Sequence, residues 1–353
     1  MSRFMNARYE ALEAYAPGEQ PRDKRYIKLN TNESPYPPAP EVVAAMNARQ
    51  VEDLRLYSDP TGKALREKIA ALNGLSWEDV ILTNGSDDVL NFAFMAFSGD
   101  GVAFPDITYG FYSVFAQLHG IETKVIPLRE DFTLNYRDYC GLNKMIVIAN
   151  PNAPTGLAIS LEEIRQILKT NPNHVVVVDE AYVDFGGGSA AKLIGEFENL
   201  LVTQTFSKSR SMAGARLGFG MGSKAIMKDL EKLRYSTNPY NINRLTMFLG
   251  EKTLEHNDYY LQNCRRIADT REYTKAELQK LGFTVLPGLG NFLFAASPAI
   301  SGEKLYLELK DRGILVRHFS NPRICNYNRI SIGTREEMQT FIRTVKEIKE
   351  GML

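Results

Sequence analysis

Cysteine is scarce in this chain. Cys140, Cys264 and Cys325 are the only three among 353 residues, and they lie far apart. No CxxC pair and no Cys/His cluster occurs, which argues against a structural zinc site and leaves no metal-binding pattern to assign. Neither sign of charge is in excess: 42 Lys and Arg balance 42 Asp and Glu. That balance argues against a general nucleic-acid or polyanion binder, because such proteins carry a basic surplus. Long apolar runs are missing too. No stretch approaches the roughly 18 residues of a membrane-crossing helix. The N-terminal stretch is broken by Arg3, Arg8, Glu10 and Glu13 and offers no apolar signal core. With the odd cysteine count, this points to a reducing cytoplasm. Repeats and low-complexity tracts are also absent.

What is present is ordinary for a folded soluble protein: 44% apolar and 24% charged residues. At about 150 residues per domain, the length suggests two domains. Short apolar runs predict strands over 80–83, 102–105, 144–149, 174–178 and 200–205. Helical patterns over 87–97, 109–119 and 161–169 separate them. Fully apolar strands between helices predict a mostly parallel sheet covered on both faces, an α/β fold. The last third differs. A long charged helix over 257–281 precedes short strands near 283–286, 291–295, 314–316 and 329–332, with helices near 303–312 and 334–349. This predicts a smaller α+β domain. The expected division is an N-terminal segment 1–38 packing across the domains, a large domain 39–250 and a small domain 251–353. Helices look continuous around 245–260, so one long helix is expected to bridge the two. The Pro- and Asn-rich stretch before Pro40 reads as irregular.

In open α/β sheets, ligands bind beyond the carboxyl ends of the strands. Asp179, Glu180, Ala181 and Tyr182 follow the strand HVVVV. Ser207 and Lys208 follow LLVTQTF, with Arg216 eight residues on. The turn NPNAPTG follows KMIVIA, and NGSDD follows VILT as a helix opens. Each feature alone has an ordinary reading: a cap, a solvated lysine or a firm turn. Together they predict an anion cup, a carboxylate, a lysine and an arginine at one sheet edge. A pyridoxal phosphate site needs those parts. Its phosphate wants a helix N-terminus and an arginine, its ring nitrogen an acid, its aldehyde a lysine.

The motifs in chain order strengthen this. They are LNTNESPY at 29–36, YSDP at 57–60, NGSDD at 84–88, TYG at 108–110 and NPNAPTG at 150–156. DEAY at 179–182, TFSK at 205–208, AGARLGFG at 213–220, GILVR at 313–317 and RISIGTREE at 329–337 follow. This series resembles the fold-type I, aspartate-aminotransferase-like enzymes that use pyridoxal 5'-phosphate, and is most similar to their histidinol-phosphate aminotransferase branch. The resemblance spans nearly the whole chain.

It implies roles. Lys208 would form the Schiff base and shuttle the proton, and Asp179 would pair with the ring nitrogen. Tyr182 and an Asn of the NPNAPTG turn would bond the ring hydroxyl, and Tyr109 would stack on the ring. Ser86, Asp87, Thr205, Ser207 and Arg216 would hold the phosphate end. Tyr57 resembles a tyrosine that reaches the neighbouring subunit's phosphate, which implies a homodimer. The family often places the ring-facing Asn directly before Pro. Here that position is Ala153, and Asn152 is expected to supply the amide instead. On the substrate side, Arg329 and Arg317 would clamp a carboxylate or phosphate. Tyr15, in LEAYAPG, would lie near that anion, and Asn32 and Tyr36 would line the mouth. His318 reads as a bystander.

The implied reaction is ping-pong: glutamate donates its amine and imidazole-acetol phosphate accepts it. A threonine-phosphate decarboxylase and an aromatic amino-acid aminotransferase share the scaffold and the cofactor motifs, and they stand as alternatives. A non-catalytic regulator module lacks a DNA-binding footprint here. A nicotinamide dehydrogenase would rest on GFGMGS at 218–223, which follows no credible first strand.

Overall fold

The computed structural model describes residues 4–351. The strands are β1 (Ile27–Leu29), β2 (Val80–Thr83), β3 (Val102–Pro105), β4 (Thr123–Ile126), β5 (Met145–Ala149) and β6 (Val176–Asp179). They continue with β7 (Leu200–Thr205), β8 (Gly218–Gly222), β9 (Thr284–Val285), β10 (Phe292–Ala296), β11 (Ile314–His318) and β12 (Tyr327–Ser331).

Seven strands form one sheet in the order β2-β8-β7-β6-β5-β3-β4. All pair in parallel except β8, which runs antiparallel to both β2 and β7. Side chains alternate between the two faces of a strand. Val176, Val178, Leu200 and Val202 accordingly enter one core, with Ile164 and Leu65 from covering helices. Val177 and Leu201 enter the other, with Val89 and Phe94 from the Ser86–Phe97 helix. Both faces are dry, so the strands carry no polar alternation. Each fully buried Val, Leu, Ile or Phe here contributes about 1.5–3 kcal/mol of transfer free energy.

The second sheet has the order β1-β11-β12-β10-β9. Helices Asn257–Lys280, Gly302–Asp311 and Arg335–Glu350 cover it, burying Ile267, Leu309 and Phe341 against β10 to β12. Two details differ from the sequence reading. The bridging helix is two helices, Arg244–Glu255 and Asn257–Lys280, broken at His256, whose ψ of 33° leaves the helical range. The stretch before Pro40 is not wholly irregular, because β1 pairs in parallel with β11.

The two sheets meet through main chain. Leu289 N–H donates to the Gly156 carbonyl at 2.8 Å. A Cβ on Gly156 would lie 2.8 Å from the Cα of Gly288, so neither glycine can carry a side chain at this spacing.

Candidate active site

Most helices here begin with a side-chain cap. Ser160 and Thr334 close the helices Leu161–Thr170 and Arg335–Glu350 in capping boxes with Glu163 and Glu337. The Ser86–Phe97 helix is among those that do not. Its N-cap is Gly85, and no side chain caps it. Its first N–H groups and the positive end of its dipole are therefore left for an anion. Gly218 lets β8 press against this turn: a Cβ there would fall 2.2 Å from Ser86 N and 2.3 Å from Gly85 C. Arg216, in a left-handed conformation just before β8, brings its guanidinium over Gly85 and pairs with Asp87 at 3.2 Å.

A cavity of about 220 Å³ opens at this edge of the sheet. Ser86, Asp87 and Arg216 line one end, with Thr205 and Ser207 beside them. Asp179, Tyr182, Tyr109 and Lys208 line the rest. The sheet explains the convergence, because β2, β6 and β7 end here and antiparallel β8 begins here.

Asp179 is buried. Its carboxylate accepts from the Tyr112 hydroxyl at 2.8 Å and from Ala181 N–H at 3.2 Å. Burial nonetheless pushes the carboxyl up to about 6. Such a group stabilises a cation placed against it. Lys208 Nζ donates to the Thr31 carbonyl at 3.1 Å. Burial, with the nearby Arg329 cation, brings the ammonium down to about 8, within reach of a neutral, nucleophilic amine. Tyr109 donates to Asp87 at 2.9 Å, which orients both at the cup. Tyr182 lies edge-on to Phe292, with ring centres 5.0 Å apart.

A second cavity of about 340 Å³ adjoins the first and shares Thr31, Tyr109, Ala153, Tyr182 and Lys208 with it. Tyr15, Arg317 and Arg329 line it. Arg317 donates to the Pro17 and Ala16 carbonyls, and Arg329 to the Asn30 carbonyl. Arg329 Nε is buried without a partner. Burial lowers the pKa of this guanidinium, so an anion is strongly favoured beside it. Phe319 lies about 6 Å from both guanidiniums, at 5.8 and 6.0 Å. Tyr15 stacks on Phe111 at 4.2 Å and leans on Tyr109.

Four expected residues lie elsewhere. The Asn152 amide donates to the Ile107 carbonyl and to Thr155, and its carbonyl oxygen accepts from Thr108. It is taken up by its own turn and by the 107–108 segment. The cavity wall there is Pro151 and Ala153, and Asn152 does not line it. Asn32 is fully buried and lines neither cavity, because its side chain bonds Tyr182 and Ser331. Tyr36 also lies outside both, under the Arg266 guanidinium. Tyr57 is on the surface, 78% exposed and stacked on Tyr240 at 4.4 Å. His318 bonds the Cys325 carbonyl and stacks on Tyr306, away from both cavities.

Sequence reasoning missed Tyr112, Thr31, Phe319 and the support beneath Tyr182. Tyr112 had a signal: it stands three residues after Tyr109 and so shares its side of the first helical turn. Thr31 acts through a carbonyl, which no residue type announces.

Residues 24–345 match the family model described as aminotransferase class I and II. The chain belongs to that family. It is 47% identical over 351 residues to a histidinol-phosphate aminotransferase of Brachyspira hyodysenteriae, covering 99% of both chains. Among solved structures, it superposes with a TM-score of 0.85 on the histidinol-phosphate aminotransferase of Clostridium acetobutylicum, at 24% identity and covering 92% of this chain and 99% of that one. A Sinorhizobium meliloti histidinol-phosphate aminotransferase in complex with pyridoxal-5'-phosphate gives 0.83 at 22% identity, covering 94% and 93%. At these identities the two structures speak for the fold, a fold-type I aminotransferase architecture, and the α/β expectation is met.

Proposed function

We propose that this aminotransferase uses pyridoxal 5'-phosphate to move an amino group from L-glutamate to imidazole-acetol phosphate, giving 2-oxoglutarate and L-histidinol phosphate. One observation carries the reading: the joined cavities have an anion site at each end and one lysine between them. The cup of Ser86, Asp87 and Arg216 suits a cofactor phosphate. Arg317 and Arg329 suit the anionic end of a substrate, either the carboxylates of glutamate or the phosphate of the acceptor. The choice of substrate rests on full-length likeness to histidinol-phosphate aminotransferases.

The side chains fit the cofactor. The uncapped helix end would hold its phosphate, buried Asp179 would face its ring nitrogen and Tyr182 its ring oxygen. Tyr109 would lie beside the ring, and Lys208 would hold the aldehyde. When bound, the cofactor supplies an electron-withdrawing ring that makes the substrate's α-proton removable. The chain does the rest. Asp179 keeps a proton on the ring nitrogen, because a buried carboxylate needs a cationic partner. Lys208 Nζ, whose pKa burial brings down to about 8, would take the proton from one carbon and return it to another. The arginines fix the substrate so that this carbon faces Nζ.

The same reading includes a division into segment 1–38, large domain 39–250 and small domain 251–353, supported by the two sheets and the helix break at His256. It includes a homodimer in which Tyr57 serves the partner's phosphate site. Exposed Val51, Leu54, Leu56 and Tyr57, beside Tyr240, support that interface. It also includes a cytoplasmic site of action. Among the described residues, no helix is long and apolar enough to cross a membrane.

A half-reaction followed by absorbance tests the proposal. L-histidinol phosphate and L-glutamate, added separately, should each convert the cofactor band to the pyridoxamine form. Conversion by glutamate and an aromatic amino acid, but not by histidinol phosphate, would overturn the substrate assignment. Failure to bind the cofactor at all would overturn the reading.

A further inference from the structure

Asn32 is a non-glycine residue with φ of +57°, and it is fully buried. Such a backbone is tolerated best by Asn, Asp and Gly. All four of its polar groups are engaged. Its N–H donates to Ser331 Oγ at 2.8 Å, and Ser331 Oγ donates back to Asn32 Oδ1 at 2.8 Å. Its carbonyl accepts from Asn291 Nδ2 at 2.9 Å. Its own Nδ2 donates to the Tyr182 hydroxyl oxygen at 3.0 Å.

These bonds set a direction. Ser331 has one hydroxyl proton. Its oxygen receives the Asn32 N–H, so its proton goes to Asn32 Oδ1. That fixes Oδ1 as the acceptor end of the amide and turns the NH₂ end, which can only donate, toward Tyr182. Asn32 is the sole hydrogen-bond partner of the Tyr182 hydroxyl among the described residues. The Tyr182 proton is therefore left to be donated into the cavity. The charged groups around this phenol are Arg329, Asp179 and Asp87, and Lys208 lines the same cavity. None of them bonds the hydroxyl.

Position 153 bears on the same point. Ala153 forms the cavity wall and has no side-chain amide, and that of Asn152 next to it is engaged by Ile107, Thr108 and Thr155. We propose that Asn32, acting through Tyr182, provides the donor strength toward the cofactor's ring oxygen that a side-chain amide at position 153 would otherwise provide. Asn32 is then a positioning residue, not a substrate contact. A phenol that accepts a hydrogen bond is a stronger donor through its own proton. Without Asn32, Tyr182 donates more weakly. The ring oxygen then keeps more negative charge and holds the proton it shares with the Lys208 linkage to higher pH. This inference rests on the cofactor reading above.

The test is the midpoint pH of the absorbance change of the purified holoenzyme, measured for Asn32→Gly and Asn32→Asp. Each is made in the parent and in a Tyr182→Phe background. Glycine keeps the left-handed backbone and removes the amide. Aspartate keeps the shape and the Ser331 bond but cannot donate. Both should raise the midpoint by a few tenths of a unit up to about one unit when Tyr182 is present, the scale of one lost hydrogen bond. Asn32→Gly should not move it in Tyr182→Phe, since the coupling runs through that hydroxyl, and Asn32→Asp should move it there only by its added charge, so less than when Tyr182 is present. An equal shift in both backgrounds, or none in either, overturns the inference while leaving the cofactor reading intact. A parent protein without a cofactor band would overturn the cofactor reading first, and this inference with it. If Asn32→Gly does not fold, Asn32→Asp carries the same comparison.

Discussion

Arg317 and Arg329 are register partners across the antiparallel pair β11–β12, and among the described residues neither meets a carboxylate. Like charges placed directly opposite on a sheet destabilise it. Carbonyl oxygens and the face of Phe319 offset this only in part, so the pair is a site strained in favour of an anion.

Arg329→Gln should therefore separate function from stability. Truncating one member of a buried charged contact costs about 2–5 kcal/mol of binding, or roughly 30-fold to several-thousand-fold in kcat/KM. The folded protein should be at least as stable as the parent, because the repulsion is relieved. Steady-state kinetics with both substrates and thermal melting check the two halves. A variant that melts markedly lower with little kinetic change would assign Arg329 to structure.

Lys208→Ala should abolish amino transfer and leave the fold intact. Lys208→Met should change the pH dependence of stability in the cofactor-free protein. The folded pKa of Lys208, about 8, is below its ordinary 10.5, so the unfolded chain binds this proton more tightly. Its contribution is present above 10.5 and is lost as pH falls through about 8. Denaturant titrations between pH 7.5 and 10 should show a rise in the parent that is shallower in Lys208→Met. Identical slopes would mean that the amine is not desolvated.

Asp179→Ala should lower turnover far more than cofactor retention, since the proposed partner of the acid is the ring nitrogen and the proposed phosphate site is the Ser86–Arg216 cup. Asp179→Asn reports on the free carboxyl. Its folded pKa, about 6, is above the ordinary 3.8, so its contribution is present below 3.8 and is lost as pH rises through about 6. Cofactor-free Asp179→Asn should lack that part of the decline. Equilibrium dialysis of the cofactor, beside kcat, decides the first point.

Gly218→Ala puts a methyl group into main chain at the cup, where nothing flexible can yield. The helix end must shift, costing about 1–3 kcal/mol, and the anion site moves with it. Cofactor affinity should fall by at least about tenfold, the equivalent of 1.4 kcal/mol, while Gly214→Ala, with open space around it, should be neutral. Equal affinities in the two variants would exclude the cup as the phosphate site.

The large sheet was legible because strands buried on both faces read as unbroken apolar runs, and parallel strands must deliver their carboxyl ends to one edge. Asp179 at the carboxyl end of β6 and Lys208 after β7 follow from that geometry alone. β8 escaped because three of its five residues are glycine, a poor strand former. The packing that requires those glycines is tertiary: a Cβ on Gly220 would lie 2.9 Å from Val89. β4 escaped because it is an exposed edge strand with Lys124 in its middle. Asn152 and Asn32 were expected at the site, and they line neither cavity for one reason. Residue type tells that an amide is available, whereas which way it turns depends on partners 44 and 299 positions distant.

The contact of Gly156 with Gly288 has a wider consequence. Two backbones in van der Waals touch, joined by a single amide-to-carbonyl bond, form a pivot without a side chain. At this point the large sheet and the small one approach through peptide units alone, with no side chain between the two glycines.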